Sequence, residues 1–172
     1  MFVVDAASDV TARIVGAGAL RGTILHKLME ELLTGELEGL LDATTRRAAE
    51  LFTQLQSTDG TDAERPDPIE MAQTALRTLA LPELAPFLAQ LVPEVPLWTA
   101  NPPRFLAGRA DAAAIEGERI ALVIDWKSDV NPAAAAHKAH VAQLRDYLRV
   151  TGAERGAIVY MSAAQVSWVE PP

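Results

Sequence analysis

The chain has 172 residues, 49% of them hydrophobic and 22% charged, a globular balance long enough to bury a core without cross-links. It contains no cysteine, which excludes a disulfide scaffold, a thiolate zinc site and an iron–sulfur cluster. The formal charge of −8 argues against a basic nucleic-acid-binding face over the whole chain, but the acid is unevenly placed. Residues 1–100 hold seven Lys/Arg against fifteen Asp/Glu, whereas residues 101–172 hold eight of each.

The opening MFVVDAASD carries acids where a signal peptide needs a basic region, and no run approaches the roughly 20 apolar residues that span a bilayer. These features point to a cytoplasmic protein with no membrane partner. Residues 20–34 read as an amphipathic helix, with Leu20, Ile24, Leu25, Leu28, Leu32 and Leu33 at helical spacing and Gly35 as its stop. A weaker helical pattern runs over 39–56. Residues 57–68 (STDGTDAERPDP) form a polar loop. Helix resumes over 68–80 with Pro68 in its first turn, and a shorter helix is expected near 83–91.

Strand character begins at Pro93. Residues 94–99 read as an edge strand, because Pro96 cannot donate to a ladder. Residues 104–115 and 119–127 form a hairpin around Glu116-Gly117-Glu118, with a bulge expected at Gly108. Residues 132–150 form a helix starting at Pro132 and stopped by Gly152. Residues 156–162 and 165–169 are the last strands. The order implies an α/β fold with a mixed sheet, in one domain: a helix at 20–34, a helical insertion at 39–92, and the sheet with its helix at 93–172.

The chemistry concentrates on the hairpin. In Ile124-Asp125-Trp126-Lys127, strand alternation puts Asp125 and Lys127 on one face. Asp111, in Gly108-Arg109-Ala110-Asp111, lies on the paired strand. Two neighbouring carboxylates repel unless a cation neutralises them, and carboxylate oxygens suit Mg2+ or Mn2+. A strand end reaching solvent, with Asp111 paired to a nearby base, explains the same residues without chemistry.

The stretch GRADAAAIEGERIALVIDWKSD resembles the G-x-x-D and D-x-K signature of the PD-(D/E)XK nucleases, and more narrowly their RecB and AddA branch. Arg21-Gly22-Thr23-Ile24-Leu25-His26 resembles that branch's G-x-x-x-H helix. Glu94-Val95-Pro96-Leu97 resembles its E-x-P strand, and Gln143 with Tyr147 its Q-x-x-x-Y helix. The resemblance implies a restriction-endonuclease-like core and a Mg2+- or Mn2+-dependent deoxyribonuclease similar to exodeoxyribonuclease V.

It further implies that His26, Asp111, Asp125 and the backbone carbonyl of Trp126 hold the metal, with Glu94 as a further candidate. Asp111, Asp125 and Lys127 would be the catalytic group, Lys127 orienting water and stabilising phosphate charge. Gln143 and Tyr147 would contact DNA or support Lys127, and Arg145 and Arg149 would meet phosphates. Tyr147 packed in the core, with Gln143 capping nothing of importance, explains the first pair equally well, and a solvated helix face explains the arginines. Trp98, Trp126 and Trp168 are candidate base-stacking rings, although strand aromatics more often pack in a core.

No Walker A sequence is present, so no nucleotide is expected. The implied substrate is DNA, single strands favoured, and the implied partner is a helicase or helicase–nuclease complex in recombination and repair. Two rival readings stand beside this one. The first is an inactive nuclease-fold module for DNA binding or assembly. The second is an unrelated α/β domain with a structural carboxylate pair, which predicts His26 far from Asp111 and Asp125.

Overall fold

A computed structural model describes residues 18–56, 65–98, 107–130 and 133–172. Among the described residues three helices come first: α1 (Gly18–Thr34), α2 (Leu41–Leu55) and α3 (Pro68–Leu79). Pro68 sits in the first turn of α3, and the Asp67 side chain caps it by accepting from the Ile69 amide. The loop expected at 57–68 lies outside the described residues over 57–64.

The short helix expected near 83–91 does not form as an α-helix. Its hydrogen bonds span three residues, from the Leu84 amide to the Leu81 carbonyl and from Phe87 to Leu84, and only Leu88–Gln90 closes as a 3-10 turn. Pro82 and Pro86 are the cause: each lacks an amide donor and crowds the turn before it.

Five strands follow in sheet order β1 (Leu91–Trp98), β2 (Ala107–Glu116), β3 (Arg119–Lys127), β4 (Gly156–Tyr160) and β5 (Gln165–Val169). Among these strands β3 and β4 run parallel, with α4 (Ala134–Thr151) between them in the chain, and the other neighbours are antiparallel. This is a mixed α/β sheet with flanking helices, as the sequence implies. The start of α4 expected at Pro132 lies outside the described residues, and Gly152 ends the helix in the left-handed conformation, φ 65°. Strand β1 starts earlier than expected, at Leu91, and takes in Pro93 because it is an edge strand.

The sheet separates two cores. On one side α1, α2 and α3 bury Ile24, Leu28, Ala48 and Met71 against Leu122, Ile124, Trp126 and Val159. On the other, α4 buries Leu144 and Leu148 against Val123, Ile158 and Val169. The alternation of β3, with Leu122 and Ile124 facing one core and Val123 the other, is the period of two that a strand doubly buried must have.

The bulge expected at Gly108 is absent: β1 and β2 pair without a shift from Trp98 opposite Ala107 through Val95 opposite Ala110. The shift lies instead at Ala114/Ile115, against β3. Glycine at 108 serves close packing instead. A Cβ there would lie 3.2 Å from both Cε1 and the hydroxyl of Tyr147, so α4 lays a ring directly on β2.

Candidate active site

Asp111 and Asp125 meet where β2 and β3 diverge. The ladder between the strands runs through Ala112 opposite Ile124 and then stops. One residue further on, the Asp111 carboxylate takes over from the backbone: its Oδ2 accepts from the Trp126 amide at 2.7 Å. The hairpin therefore opens at the end that carries Asp125 and Lys127, with one carboxylate bridging the gap.

A second irregularity coincides with the first. Glu94, which the unbroken register sets across from Asp111, has φ 55°, rare for a residue with a side chain. Strand β1 changes faces there. Leu91 belongs to the α1 side of the sheet, while Val95 and Leu97, of the same parity, pack on the α4 side. In β2 the change falls between Ala110 and Ala112, at Asp111.

Helix α1 supplies the histidine. Gly22 and His26 are four residues apart, hence on one helix face. A Cβ on Gly22 would stand 2.9 Å from Ser128 Oγ, just past the end of β3, so the glycine lets the helix approach. One turn on, His26 Nδ1 lies 3.4 Å from Asp111 Oδ1. Burial pushes the His26 pKa down, but the hydrogen bond and charge of Asp111, aided by Asp125, outweigh it and the net shift is upward.

Asp125 is buried, 8% exposed. Lys127 Nζ lies 3.0 Å from Asp125 Oδ2, close enough for an ion pair but without hydrogen-bond geometry, so that oxygen is buried with no hydrogen-bond partner. Burial raises the Asp125 pKa to about 6, and the charge of Asp111 adds to the rise, against the pull of Lys127.

Among the described residues no three histidine, aspartate or glutamate side chains are arranged around one ion position. His26 and Asp111 are engaged with each other, and Asp125 with Lys127. The chemistry nevertheless fits a hard divalent cation: two adjacent carboxylates, an imidazole beside them, and one buried carboxylate oxygen lacking any other donor.

The other sequence candidates lie around this centre. The Glu94 carboxylate is held by Arg109 Nη1 at 2.6 Å rather than joining Asp111. On α4, Gln143 Nε2 donates to the Tyr147 hydroxyl at 3.2 Å, and Tyr147 covers Gly108. Arg145 is exposed and Arg149 pairs with Asp146. Trp126 is 2% exposed in the core, so it cannot stack a base; Trp168 is partly covered by Phe87 and by the Arg155 guanidinium, and the side chain of Trp98 lies outside the described residues.

Sequence reasoning missed two groups beside the site. Tyr160, the ladder partner of Lys127, takes His137 Nδ1 at 2.8 Å and His140 Nδ1 at 3.3 Å on its hydroxyl. Arg21, quoted only as the residue before Gly22, is 2% exposed and reaches Ser128. Nothing in the sequence marks it beyond its place beside Gly22, because its partners lie far along the chain.

Among the described residues no helix is long and apolar enough to cross a membrane. A search of curated proteins returns no match. Among solved structures, that of SSO0001 is similar with a TM-score of 0.42 at 21% identity, over 87% of this chain and 77% of that one. The sequence also matches the family model of the PD-(D/E)XK nuclease superfamily over residues 10–169. That span takes in the opened hairpin, the histidine helix and the helix that covers Gly108, and the chain belongs to the PD-(D/E)XK nuclease superfamily.

Proposed function

We propose that this chain is the nuclease module of a helicase–nuclease of the RecB/AddA type, cutting DNA with Mg2+ or Mn2+ in recombination and repair. Nucleases of its superfamily act on nucleic acid and generally use these ions. The observation that carries the reading is Asp125 Oδ2, a buried carboxylate oxygen without a hydrogen-bond partner, next to Asp111 and Lys127 at the open end of a hairpin.

In this reading Asp111, Asp125, His26 and the Trp126 carbonyl hold the cation, and Glu94 joins only if it leaves Arg109. The cation, when bound, supplies Lewis-acid polarisation of the phosphodiester. Lys127 orients the attacking water and offsets charge growing on the phosphate oxygens. Its ion pair with Asp125 keeps the ammonium over the diverging strands until phosphate competes for it. Arg145 and Arg149 meet backbone phosphates, which fix register without reading sequence. The excess of acid over residues 1–100 fits a module that is carried to single strands by a helicase partner rather than by its own field.

The test is cleavage of linear and circular single-stranded DNA by the purified chain with Mg2+, Mn2+ or EDTA, beside Asp125→Ala. Metal-dependent cutting lost in the variant is expected, and cutting of the circle would mark an endonuclease. No cutting alone or with a helicase partner, together with no Mn2+ binding by calorimetry, would refute the reading.

A further inference from the structure

Arg21 is almost wholly buried, and each arm of its guanidinium has a partner. Nε and Nη2 donate to Glu70 Oε2 and Oε1 at 3.0 and 2.6 Å, and Nη1 donates to the Ser128 carbonyl at 3.2 Å. Glu70 stands on α3, where Thr74 also donates to its Oε1 at 2.8 Å. Ser128 follows Lys127. Two helices, α1 and α3, thus converge on the end of β3.

That strand end needs holding. Strand β2 has already diverged from it, and among the described residues β4 and the Asp111 carboxylate take over its hydrogen bonding. The Lys127 carbonyl accepts from the Met161 amide at 2.9 Å, and the Ser128 carbonyl accepts from Ser162 Oγ at 3.0 Å as well as from Arg21. Helix α3 reaches the same place a second time, through Arg77 Nη2 on the Ser162 carbonyl at 3.1 Å. The backbone carbonyls of Ser128 and Ser162 are therefore both tied to the helices that precede the sheet.

Buried ion pairs give little net stability, because desolvation offsets the attraction. What a bidentate arginine does give is direction: a planar fork fixes its partners' relative positions as a lysine cannot. We propose that Arg21 is a positioning residue which, braced by Glu70, locks the end of β3 to the helical insertion and so sets where the Lys127 ammonium stands. Its catalytic consequence rests on the nuclease reading above; the clamp itself does not. The insertion then belongs to the catalytic apparatus rather than forming a cap beside it.

The experiment compares the wild-type chain with Arg21→Lys and Glu70→Gln. Arg47→Lys serves as a control, loosening the Arg47–Glu31 pair between α2 and α1, which does not touch Ser128. Two readouts are taken well below every variant's melting temperature: DNA cleavage with Mn2+, resolved into kcat and KM, and amide hydrogen exchange at Met161. In Arg21→Lys and Glu70→Gln, kcat is expected to fall roughly tenfold to a hundredfold, the scale of a displaced catalytic group, with KM unchanged. Exchange at Met161 is expected to quicken in both and not in Arg47→Lys.

Folded Arg21→Lys with wild-type kcat and wild-type exchange would overturn the proposal. So would equal losses in Arg47→Lys, which would mean general loosening. A wild type that cuts no DNA defeats the nuclease reading, and Met161 exchange alone then decides the clamp.

Discussion

Replacing Asp125 by asparagine stabilises the metal-free protein at neutral pH. Burial, reinforced by the charge of Asp111 and only partly relieved by Lys127, moves the Asp125 pKa from 3.8 to about 6. Between those values the folded protein holds a proton that the unfolded chain has released, so stability falls as pH rises and the whole penalty is present above about 6. At about 1.4 kcal/mol per unit of pKa the penalty is about 3 kcal/mol. Asparagine keeps the shape without the charge. For a chain of this length the gain corresponds to roughly 6–12 °C in Tm. Calorimetric melting in EDTA at about pH 8 measures it, and the gain shrinks toward zero as pH is lowered to about 4, where the aspartate too is largely protonated when folded. Mn2+ added at about pH 8 raises the wild-type Tm and leaves the variant unmoved. No gain at the higher pH, or the same gain at both, would refute the buried-charge argument.

Gly156→Ala places a Cβ 2.8 Å from Leu144 Cδ2 and 3.2 Å from Leu148 Cδ1, both buried, so overpacking costs about 1–3 kcal/mol in urea unfolding with an unchanged slope. For Glu70, burial pushes the pKa up but the Arg21 hydrogen bond and charge pull it below its ordinary value. Its contribution is therefore present above the unfolded pKa and lost as pH falls through the folded one. Stability of Glu70→Gln, followed against pH by circular dichroism, is lower near neutrality and declines less steeply below about 4.5. Gly108→Ala pushes on the Tyr147 ring, and its cost, about 1 kcal/mol, disappears when Tyr147→Ala is already present, a coupling that a double-mutant cycle in urea detects.

Much of this was legible in the sequence because it follows from short periods. The hairpin that carries Asp111, Asp125 and Lys127 has alternating strands and a glycine turn, Gly117 at φ 64°. The four-residue step from Gly22 to His26 foretells one helix face, and the structure sets His26 beside Asp111, where an unrelated domain with a structural carboxylate pair would not have put it. What was not legible depends on distant partners or local exceptions. Nothing near Gly108 announces that Tyr147, 39 positions on, will occupy the space of its side chain. Glu94 looks free until its left-handed backbone and Arg109 are seen together. Arg21 and Glu70 are 49 residues apart and only the packing of α1 on α3 joins them.

The prolines of β1 bear on self-association. This strand borders the sheet, and an uncovered strand edge is a template on which another chain adds its own backbone. Pro93 and Pro96 have no amide proton to offer, and Glu94 between them takes a left-handed backbone. The opposite border, β5, is only five residues long, with Arg155 lying across Trp168 beside it. Both borders of the sheet are thus poor at recruiting a further strand, which favours the chain staying monodisperse at high concentration.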